Sequence, residues 1–251
     1  MRGGENEIFG FFHFLELTFL MQPILSERRR IIAIGDIHGC IASLKKLIEI
    51  INPEPFEQLV FLGDYIDRGN HSKEVVDYLI ELGGSYSCHF IMGNHELMFL
   101  DHHKGHRSKE WLANGGKATL KSYQKTPSGL YFSPEHRAFF NNCQFFIETE
   151  TYFFTHGGLD PELTIKDNLL YYKHQDFCWQ RMHMRTNFIE SQTFKWEKTV
   201  VCAHTAISEP IMLDKLIAID TGCVYKEEPL LGKLTAVILP ERRLVQTENV
   251  D

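Results

Sequence analysis

The sequence lacks closely spaced cysteines. Its six cysteines stand far apart among 251 residues, and no CxxC pair occurs. Small secreted domains that depend on disulfides use a dense cysteine framework, so this class of protein is excluded. We expect six reduced thiols in a cytoplasmic protein, mostly buried, because free cysteine packs as a small apolar residue.

Positive charge is also scarce. The formal net charge is -7 at pH 7, whereas proteins that bind nucleic acids usually carry a basic face or stripe. We therefore expect no nucleic-acid partner. A site that binds phosphate in this chain must obtain its positive charge locally, from metal ions or from a few arginines.

A long uncharged apolar run is missing as well. The stretch 8–25 is rich in apolar and aromatic residues, but His13, Glu16 and Pro23 interrupt it. It is therefore a poor membrane span, and we expect no stable membrane insertion. It also lacks the basic start and the cleavage site of a signal peptide. Two interpretations stay open: an amphipathic segment that packs on the protein, or a native start at Met21 with an upstream extension of 20 residues.

The chain is long enough, and at 43% hydrophobic residues apolar enough, to bury a proper core. No repeat, low-complexity tract or interdomain linker is recognisable. We expect an N-terminal extension over residues 1–30 and a single domain over residues 31–251. Within it, residues 101–142 have the pattern of a helical insert.

Three short apolar strands are each followed by a polar residue and then by a helical pattern. These polar residues, Asp36, Asp64 and Asn94, are 28 and 30 positions apart, the length of a strand–helix–strand unit. Because open α/β sheets place ligands at the carboxyl ends of parallel strands, we expect the three side chains to lie close together. The predicted strands are 31–34, 58–62 and 88–92, and the predicted helices are 41–51, 72–82 and one from about His95.

The second half of the chain is dominated by short strands. From Phe145 onward, β-rich runs alternate with turn signals, which favours a second, mainly antiparallel sheet packed on the first. The aromatic residues of the insert are expected in its core, and lining of the substrate groove by some of them stays open. Its histidines lie in a polar run that is typical of a solvated surface. The residues concerned are Trp111, Tyr123, Phe139 and Phe140 for the core, and His102, His103 and His106 for the surface.

Three glycine-containing blocks carry the chemistry: GDIHG (35–39), GDYIDRG (63–69) and GNHE (93–96). Their glycines let the backbone turn sharply and approach a ligand. Carboxylate and amide oxygens mixed with imidazole suit manganese, iron or zinc better than calcium. The absence of a cysteine among the candidates argues against a structural zinc site. The blocks therefore predict a catalytic type of metal site.

These blocks resemble the signature of the phosphoprotein phosphatase family of metal-dependent serine/threonine phosphatases, particularly its bacterial and phage-type members, within the calcineurin-like metallophosphoesterase superfamily. The similarity continues through THGG (155–158), WQR (179–181), CAHT (202–205) and IDTG (219–222). It implies an α/β/β/α sandwich of two mixed β-sheets, with flanking helices and the insert over the site. It also implies a phosphomonoesterase whose substrate is a phosphorylated protein or a small phosphoester.

The resemblance further implies two divalent metal ions. Manganese is expected, with iron or zinc as alternatives, and Asp64 would bridge the pair. A hydroxide held between the ions would attack phosphorus in line with the ester oxygen. The other implied ligands are Asp36 and His38 for one ion, and Asn94, His156 and His204 for the second.

Two arginines and a histidine–aspartate pair complete the implied site. Arg68 and Arg181 match phosphate-binding arginines, and the planar guanidinium suits the equatorial oxygens of a phosphoryl group. Asn94 would contact the substrate as well as its metal. His95 would protonate the leaving alkoxide, and Asp67 would orient His95.

Two other functions stay open. A dinucleoside polyphosphate hydrolase of the symmetrical tetraphosphate type uses a similar metal site, although Asp67 and Glu96 resemble the protein-phosphatase branch. A catalytically inactive binding module would ordinarily show gaps among the site residues, and none is present. Two departures, Ala206 where many bacterial relatives have proline and a small insertion at 227–229, affect the predicted groove. The oligomeric state is not predicted.

Overall fold

The computed structural model describes residues 25–106, 108–123, 125–126, 129–130 and 132–251. Both interpretations of residues 1–20 concern residues outside this part. Where the described chain begins, Leu25 is buried and Arg30 forms an ion pair with Glu57. None of the helices in the described part is long and apolar enough to cross a membrane.

The described strands follow the chain in this order: β1 (Ile31–Ile34), β2 (Gln58–Phe61), β3 (Ser87–Phe90), β4 (Lys125–Thr126), β5 (Gly129–Leu130), β6 (Phe146–Glu148), β7 (Tyr152–Thr155), β8 (Thr199–Cys202), β9 (Ile211–Met212), β10 (Leu216–Ala218), β11 (Lys233–Leu239) and β12 (Arg243–Glu248).

The described α-helices are α1 (Ile41–Ile51), α2 (Ser72–Ser85), α3 (Asn94–His103), α4 (Ser108–Trp111), α5 (Lys117–Ser122), α6 (Pro134–Asn142), α7 (Ile165–Tyr171) and α8 (Thr186–Ser191). Short 3₁₀ turns occupy His174–Cys178 and Met182–Met184, and a π-helical turn at Leu112–Gly116 joins α4 to α5.

Two mixed five-stranded sheets form the centre of the described structure. The first has the strand order β12-β11-β1-β2-β3, and the second has the order β6-β7-β8-β10-β9. In the first sheet β1, β2 and β3 run parallel, as their spacing predicts, and β11 is antiparallel to β1. The two-sheet α/β fold expected from the resemblance is confirmed.

Burial on both faces of the strands explains why the sheets stack. In β1, Ile32 and Ile34 pack on the helical side, whereas Ile31 and Ala33 face the second sheet. Successive side chains of a strand point to opposite faces, so a strand that is apolar at every position must be covered on both. Each sheet is therefore covered by the other sheet on one face and by helices on the other, which gives the α/β/β/α layers.

Helix α1 shows how local sequence sets these layers. Leu44, Leu47 and Ile48 recur at helical spacing and are buried against the first sheet, which is the apolar stripe of a surface helix. The helix ends where Asn52 adopts a left-handed conformation with φ of 47°, and its N–H donates to the carbonyl of Ile48. Asparagine tolerates that conformation better than most residues.

The expectation of a mainly antiparallel second sheet is wrong. Strands β7, β8 and β10 pair in parallel, and only the outer pairs β6–β7 and β9–β10 are antiparallel. The last two strands also join the first sheet rather than the second. Strand-forming residues do not specify the direction or the partner of a strand. Apart from Lys233, β11 is buried throughout, which suits a position inside a sheet beside β1.

The segment expected as an insert contains helices that pack over the first sheet's loops. Its expected core residues are buried, and all six cysteines of the chain are buried and free. His103 and His106 are exposed, as expected, whereas His102 is half-buried beside Trp111, with ring centroids 4.5 Å apart. The buried core residues of the insert are Trp111, Tyr123, Phe139 and Phe140.

Candidate metal centre

The loops that follow β1, β2, β3, β7 and β8 converge on one group of buried side chains. Three of these side chains sit on residues with positive φ: His38 at 46°, Asp64 at 50° and His204 at 67°. Non-glycine residues adopt such angles uncommonly, and they cluster where the surrounding structure holds a functional geometry. The turns bring side chains from both sheets to a common point.

Asp64 lies at the centre of the group. Its Oδ2 atom is 3.4 Å from Nε2 of His38, 3.3 Å from Nε2 of His156 and 3.9 Å from Nε2 of His95. Two sets of potential metal-binding atoms share this carboxylate: it stands with His38 and His95 in one, and with His156 and His204 in the other. Asp64 is common to both sets, so among the described residues it is the candidate for a ligand shared between two ions.

The hydrogen bonds of two histidines leave their Nε2 atoms directed into the group. His38 Nδ1 donates to the carbonyl of Ile66, and His156 Nδ1 donates to the carbonyl of Leu62, each at 2.8 Å. Each Nε2 is then left facing Oδ2 of Asp64, at 3.4 Å for His38 and 3.3 Å for His156. A backbone carbonyl on the other ring nitrogen is typical of metal-binding histidine, because it fixes the orientation of the ring.

His204 provides an orphaned buried atom. Its Nε2 has no hydrogen-bond partner among the described residues, although it is buried, and unsatisfied buried polar atoms are rare in folded proteins. Burial, followed by the effect of His156, lowers the pKa of His204 to about 2, so its imidazole is neutral. A neutral imidazole with a free lone pair is the form that binds a metal.

Asp36 lies beside these sets, next to a carboxylate to which the sequence assigned no role. Its Oδ1 accepts the backbone N–H of His204 at 3.3 Å and lies 3.7 Å from Nδ1 of His156. Burial, followed by repulsion from Asp220 and Asp64, raises the pKa of Asp36 well above its usual range. Asp220 is itself buried, and it accepts the backbone N–H of Gly222 at 2.9 Å. Burial and the repulsion among Asp36, Asp64 and Asp220 disfavour their charged forms, and bound cations would stabilise those forms.

The electrostatics of Asp64 also fit a cation site. Burial by itself would raise the pKa of Asp64, but the imidazoles of His156, His95 and His38 outweigh burial and hold it well below its usual range. Asn94 adds a neutral oxygen, since its Oδ1 is 3.0 Å from Nε2 of His156. The donor set of carboxylate, amide and imidazole, together with the orphaned His204 nitrogen, therefore fits two divalent transition-metal ions.

A histidine–aspartate pair borders the group. His95 Nδ1 donates to Oδ2 of Asp67 at 2.6 Å, and both residues are buried. The second ring nitrogen, Nε2, has no partner among the described residues. The pair leaves a nitrogen beside Asp64 that can carry a proton to a reacting group.

The two predicted phosphate-binding arginines occupy different places. Arg68 contacts Nε2 of His38, and its guanidinium lies 5.4 Å from the ring centroid of Tyr225. Arg181 is exposed, and its Nε donates to the hydroxyl of Thr205, the residue after His204, at 3.3 Å. The structure therefore places Arg68 against the buried group and Arg181 on the surface beside the His204 loop.

Glu96 has a structural role that the sequence analysis did not identify. Its carboxylate accepts the backbone N–H groups of Asp64, Tyr65, Ile66 and Gly93 at 2.8, 2.8, 3.2 and 3.1 Å. It thereby fixes the loop that carries Asp64 to the start of α3. A glutamate at the third position of a helix was the available signal, since such residues often return to the backbone at the helix start.

Comparison with known proteins gives one family match and several similar proteins. A family model described as calcineurin-like phosphoesterase matches residues 29–208. The asymmetrical bis(5'-nucleosyl)-tetraphosphatase PrpE of Oceanobacillus iheyensis is 25% identical over 236 residues, which cover 86% of this chain and 91% of that protein. The serine/threonine-protein phosphatase 2B catalytic subunit A2 of Saccharomyces cerevisiae is 33% identical over 149 residues, which cover 58% of this chain and 22% of that protein.

Among solved structures, a putative diadenosine tetraphosphatase superimposes with a TM-score of 0.65 and 21% identity, covering 89% of this chain and 95% of that one. This similarity shows a shared fold.

Proposed function

Because the chain belongs to the calcineurin-like phosphoesterase family, we propose that it is a metal-dependent phosphomonoesterase acting on phosphoserine or phosphothreonine. The observation that carries the proposal is the His95–Asp67 pair, with its 2.6 Å hydrogen bond and its free Nε2. An alkoxide is a poor leaving group that needs a proton as the ester bond breaks. A phosphate leaving group released from an anhydride needs that proton much less, so an acid placed here suits esters of alcohols.

The proposed ligands are the residues that the family resemblance implies. The geometry supports part of this set, since it groups Asp64 with His156 and His204, and groups Asp64 and His38 with His95. When bound, two divalent ions would supply the Lewis acidity that makes water nucleophilic near neutral pH and neutralises phosphoryl oxygens. Asp64 would be the shared ligand, and manganese the metal, with iron or zinc as alternatives. The remaining ligands would be Asp36 and His38 for one ion, and Asn94, His156 and His204 for the other.

The protein's own residues would carry the other steps. The forked guanidinium groups of Arg68 and Arg181 would bind the non-bridging phosphoryl oxygens, Arg68 from beside His38 and Arg181 from beside Thr205. His95 would donate its proton from Nε2 to the leaving oxygen, while Asp67 stabilises the charged ring from Nδ1. Burial of the pair excludes competing water.

Metal stripping tests the coarse activity. Protein treated with a chelator should lose hydrolysis of p-nitrophenyl phosphate and recover it when Mn²⁺ is added back. Asp64→Asn should abolish that recovery. His95→Ala should lower kcat on a phosphoserine peptide by about 10²- to 10⁴-fold, the usual contribution of a general acid. Full activity after metal stripping would refute the proposal.

The second candidate function is hydrolysis of a dinucleoside tetraphosphate. It is favoured by the PrpE relative, because that similarity covers most of both chains. Rates on a phosphoserine peptide and on diadenosine tetraphosphate, measured with the same manganese-loaded protein, discriminate the two. Faster cleavage of the tetraphosphate would replace the leading proposal. Its products would then separate symmetrical cleavage into two diphosphates from asymmetrical cleavage into a triphosphate and a monophosphate.

A further inference from the structure

Residues of the insert (101–142) donate hydrogen bonds to the carboxylate of Asp67, which in turn accepts the Nδ1–H of His95. Trp111 is fully buried, and its Nε1–H donates to both oxygens of Asp67, at 3.1 and 2.9 Å. The buried hydroxyl of Thr119 donates to Oδ1 of Asp67 at 2.6 Å. Two residues of the insert, distant in sequence from Asp67, therefore determine how its carboxylate is oriented.

The same insert also fixes the backbone at this point. The N–H of Asp67 donates to Oγ1 of Thr119 at 2.9 Å and to Oγ of Ser72 at 3.1 Å. Asp67 has a φ of 72°, a strained conformation for a residue with a side chain. These bonds hold the backbone in that conformation, so the position of the carboxylate depends on the insert.

The insert also packs closely against Arg68, the residue after Asp67. The N–H of Arg68 donates to the carbonyl of Gly115 at 3.3 Å. A Cβ added at Gly115 would lie 2.8 Å from the backbone nitrogen of Arg68, and the φ of Gly115 is 108°. Only glycine allows the π-helical turn to approach this closely.

We propose that Trp111 and Thr119 are positioning residues for protonation of the leaving group. By fixing the Asp67 carboxylate they fix the His95 ring, and so the direction in which Nε2 delivers its proton. This inference rests on the proposed phosphomonoesterase function. A carboxylate free to rotate would hold the ring in several orientations, and misplacement of a catalytic group by about 1 Å can cost 10²-fold in rate.

The inference predicts an effect that depends on the leaving group. p-Nitrophenolate leaves readily without a proton, whereas the alkoxide of serine does not. Trp111→Phe keeps a buried ring but removes the donor to Asp67. It should lower kcat on a phosphoserine peptide by about 10- to 100-fold, and kcat on p-nitrophenyl phosphate much less, with KM nearly unchanged on both substrates.

A matched control comes from another buried tryptophan. Trp196 is 2% exposed, and its Nε1–H donates to the carbonyl of Asp160 at 2.9 Å, in the core outside the second sheet. Trp196→Phe removes a comparable hydrogen bond away from the site, so the ratio of the two kcat values should stay at the wild-type value. Equal losses on both substrates in Trp111→Phe would show a purely structural role and overturn the inference.

Variants of Thr119 keep the test decisive if Trp111→Phe fails to fold. Thr119→Val removes the hydroxyl and should lower the ratio of kcat on the phosphoserine peptide to kcat on p-nitrophenyl phosphate, as Trp111→Phe does. Thr119→Ser retains the hydroxyl and should keep this ratio near the wild-type value. A Thr119→Val variant with the wild-type ratio would count against the inference. Wild-type protein that hydrolyses neither substrate with Mn²⁺ would instead refute the proposed function, and the inference would fall with it.

A second measurement needs no activity. A short hydrogen bond to a carboxylate shifts the proton it contains to low field, so the Nδ1 proton of His95 should be visible by NMR in metal-free protein with ¹⁵N-labelled histidine. Trp111→Phe should shift or broaden this resonance, and Trp196→Phe should leave it in place. An unchanged resonance in Trp111→Phe would contradict the proposed restraint on Asp67.

Discussion

Replacing Glu96 with glutamine should destabilise the fold strongly, although the two side chains have nearly the same shape. Each carboxylate oxygen of Glu96 accepts two backbone N–H groups: Oε2 those of Asp64 and Gly93, and Oε1 those of Tyr65 and Ile66. A glutamine amide has one oxygen, so its NH₂ group must face two donors wherever it is placed.

The expected cost follows from the two lost bonds. A buried donor left without an acceptor costs about 1–3 kcal/mol, so Glu96→Gln, which leaves two such donors, should lower the free energy of unfolding by about 2–6 kcal/mol. Glu96 is fully buried, so water cannot replace the lost partners. For a chain of this size about 1 kcal/mol corresponds to roughly 2–4 °C, which gives a fall in Tm on the order of 10 °C.

Thermal unfolding in the presence of a chelator measures this cost without a contribution from bound metal. Glu49→Gln is the matched control, because Glu49 is exposed on α1, and its Tm should stay near that of the wild type. A Glu96→Gln protein that melts within about 2 °C of the wild type, less than about 1 kcal/mol for a chain of this size, would refute the reasoning. The four N–H groups would then have other acceptors.

Three further predictions concern single positions. Gly93→Ala would place a Cβ against the side chain and backbone of Asp64, so it should cost about 1–3 kcal/mol of stability. It should also weaken Mn²⁺ binding measured by calorimetry, and a wild-type affinity for Mn²⁺ would contradict this prediction. Burial lowers the pKa of His89 from 6.5 to about 4. Between these pH values the unfolded chain binds a proton at His89 that the folded protein does not bind, so the free energy of unfolding is highest above pH 6.5 and falls as the pH drops toward 4. Urea unfolding measured from pH 6.5 to pH 4 should show a loss of about 3 kcal/mol of unfolding free energy from His89. The His89→Gln variant should not show this loss, and an equal pH dependence of stability in both proteins would exclude His89 as the cause. Ser133 caps α6 by accepting the N–H of His136 at 3.1 Å, so Ser133→Ala should cost about 1 kcal/mol, and an unchanged urea midpoint would show that the cap contributes nothing.

The sequence predicted the three parallel strands of the first sheet well because the information for them is local. Each of β1, β2 and β3 is an apolar run followed by a polar loop and a helix, and the spacing of Asp36, Asp64 and Asn94 already implies parallel strands that end side by side. The sequence also indicated that short strands dominate the second half of the chain. It did not indicate how these strands pair, because pairing direction depends on residues far away in sequence.

The sequence by itself determined the presence of two sheets, the strand–loop–helix units and the clustering of Asp36, Asp64 and Asn94, since residue type and spacing carry that information. The histidine ligands came from the family resemblance. Only the tertiary structure decided that β11 lies beside β1, that Glu96 fixes the Asp64 loop, and that Trp111 and Thr119 hold Asp67. The physical reason is that these are contacts of buried polar groups. Burial requires each such group to find a partner, but nothing in the local sequence says which distant element will supply it.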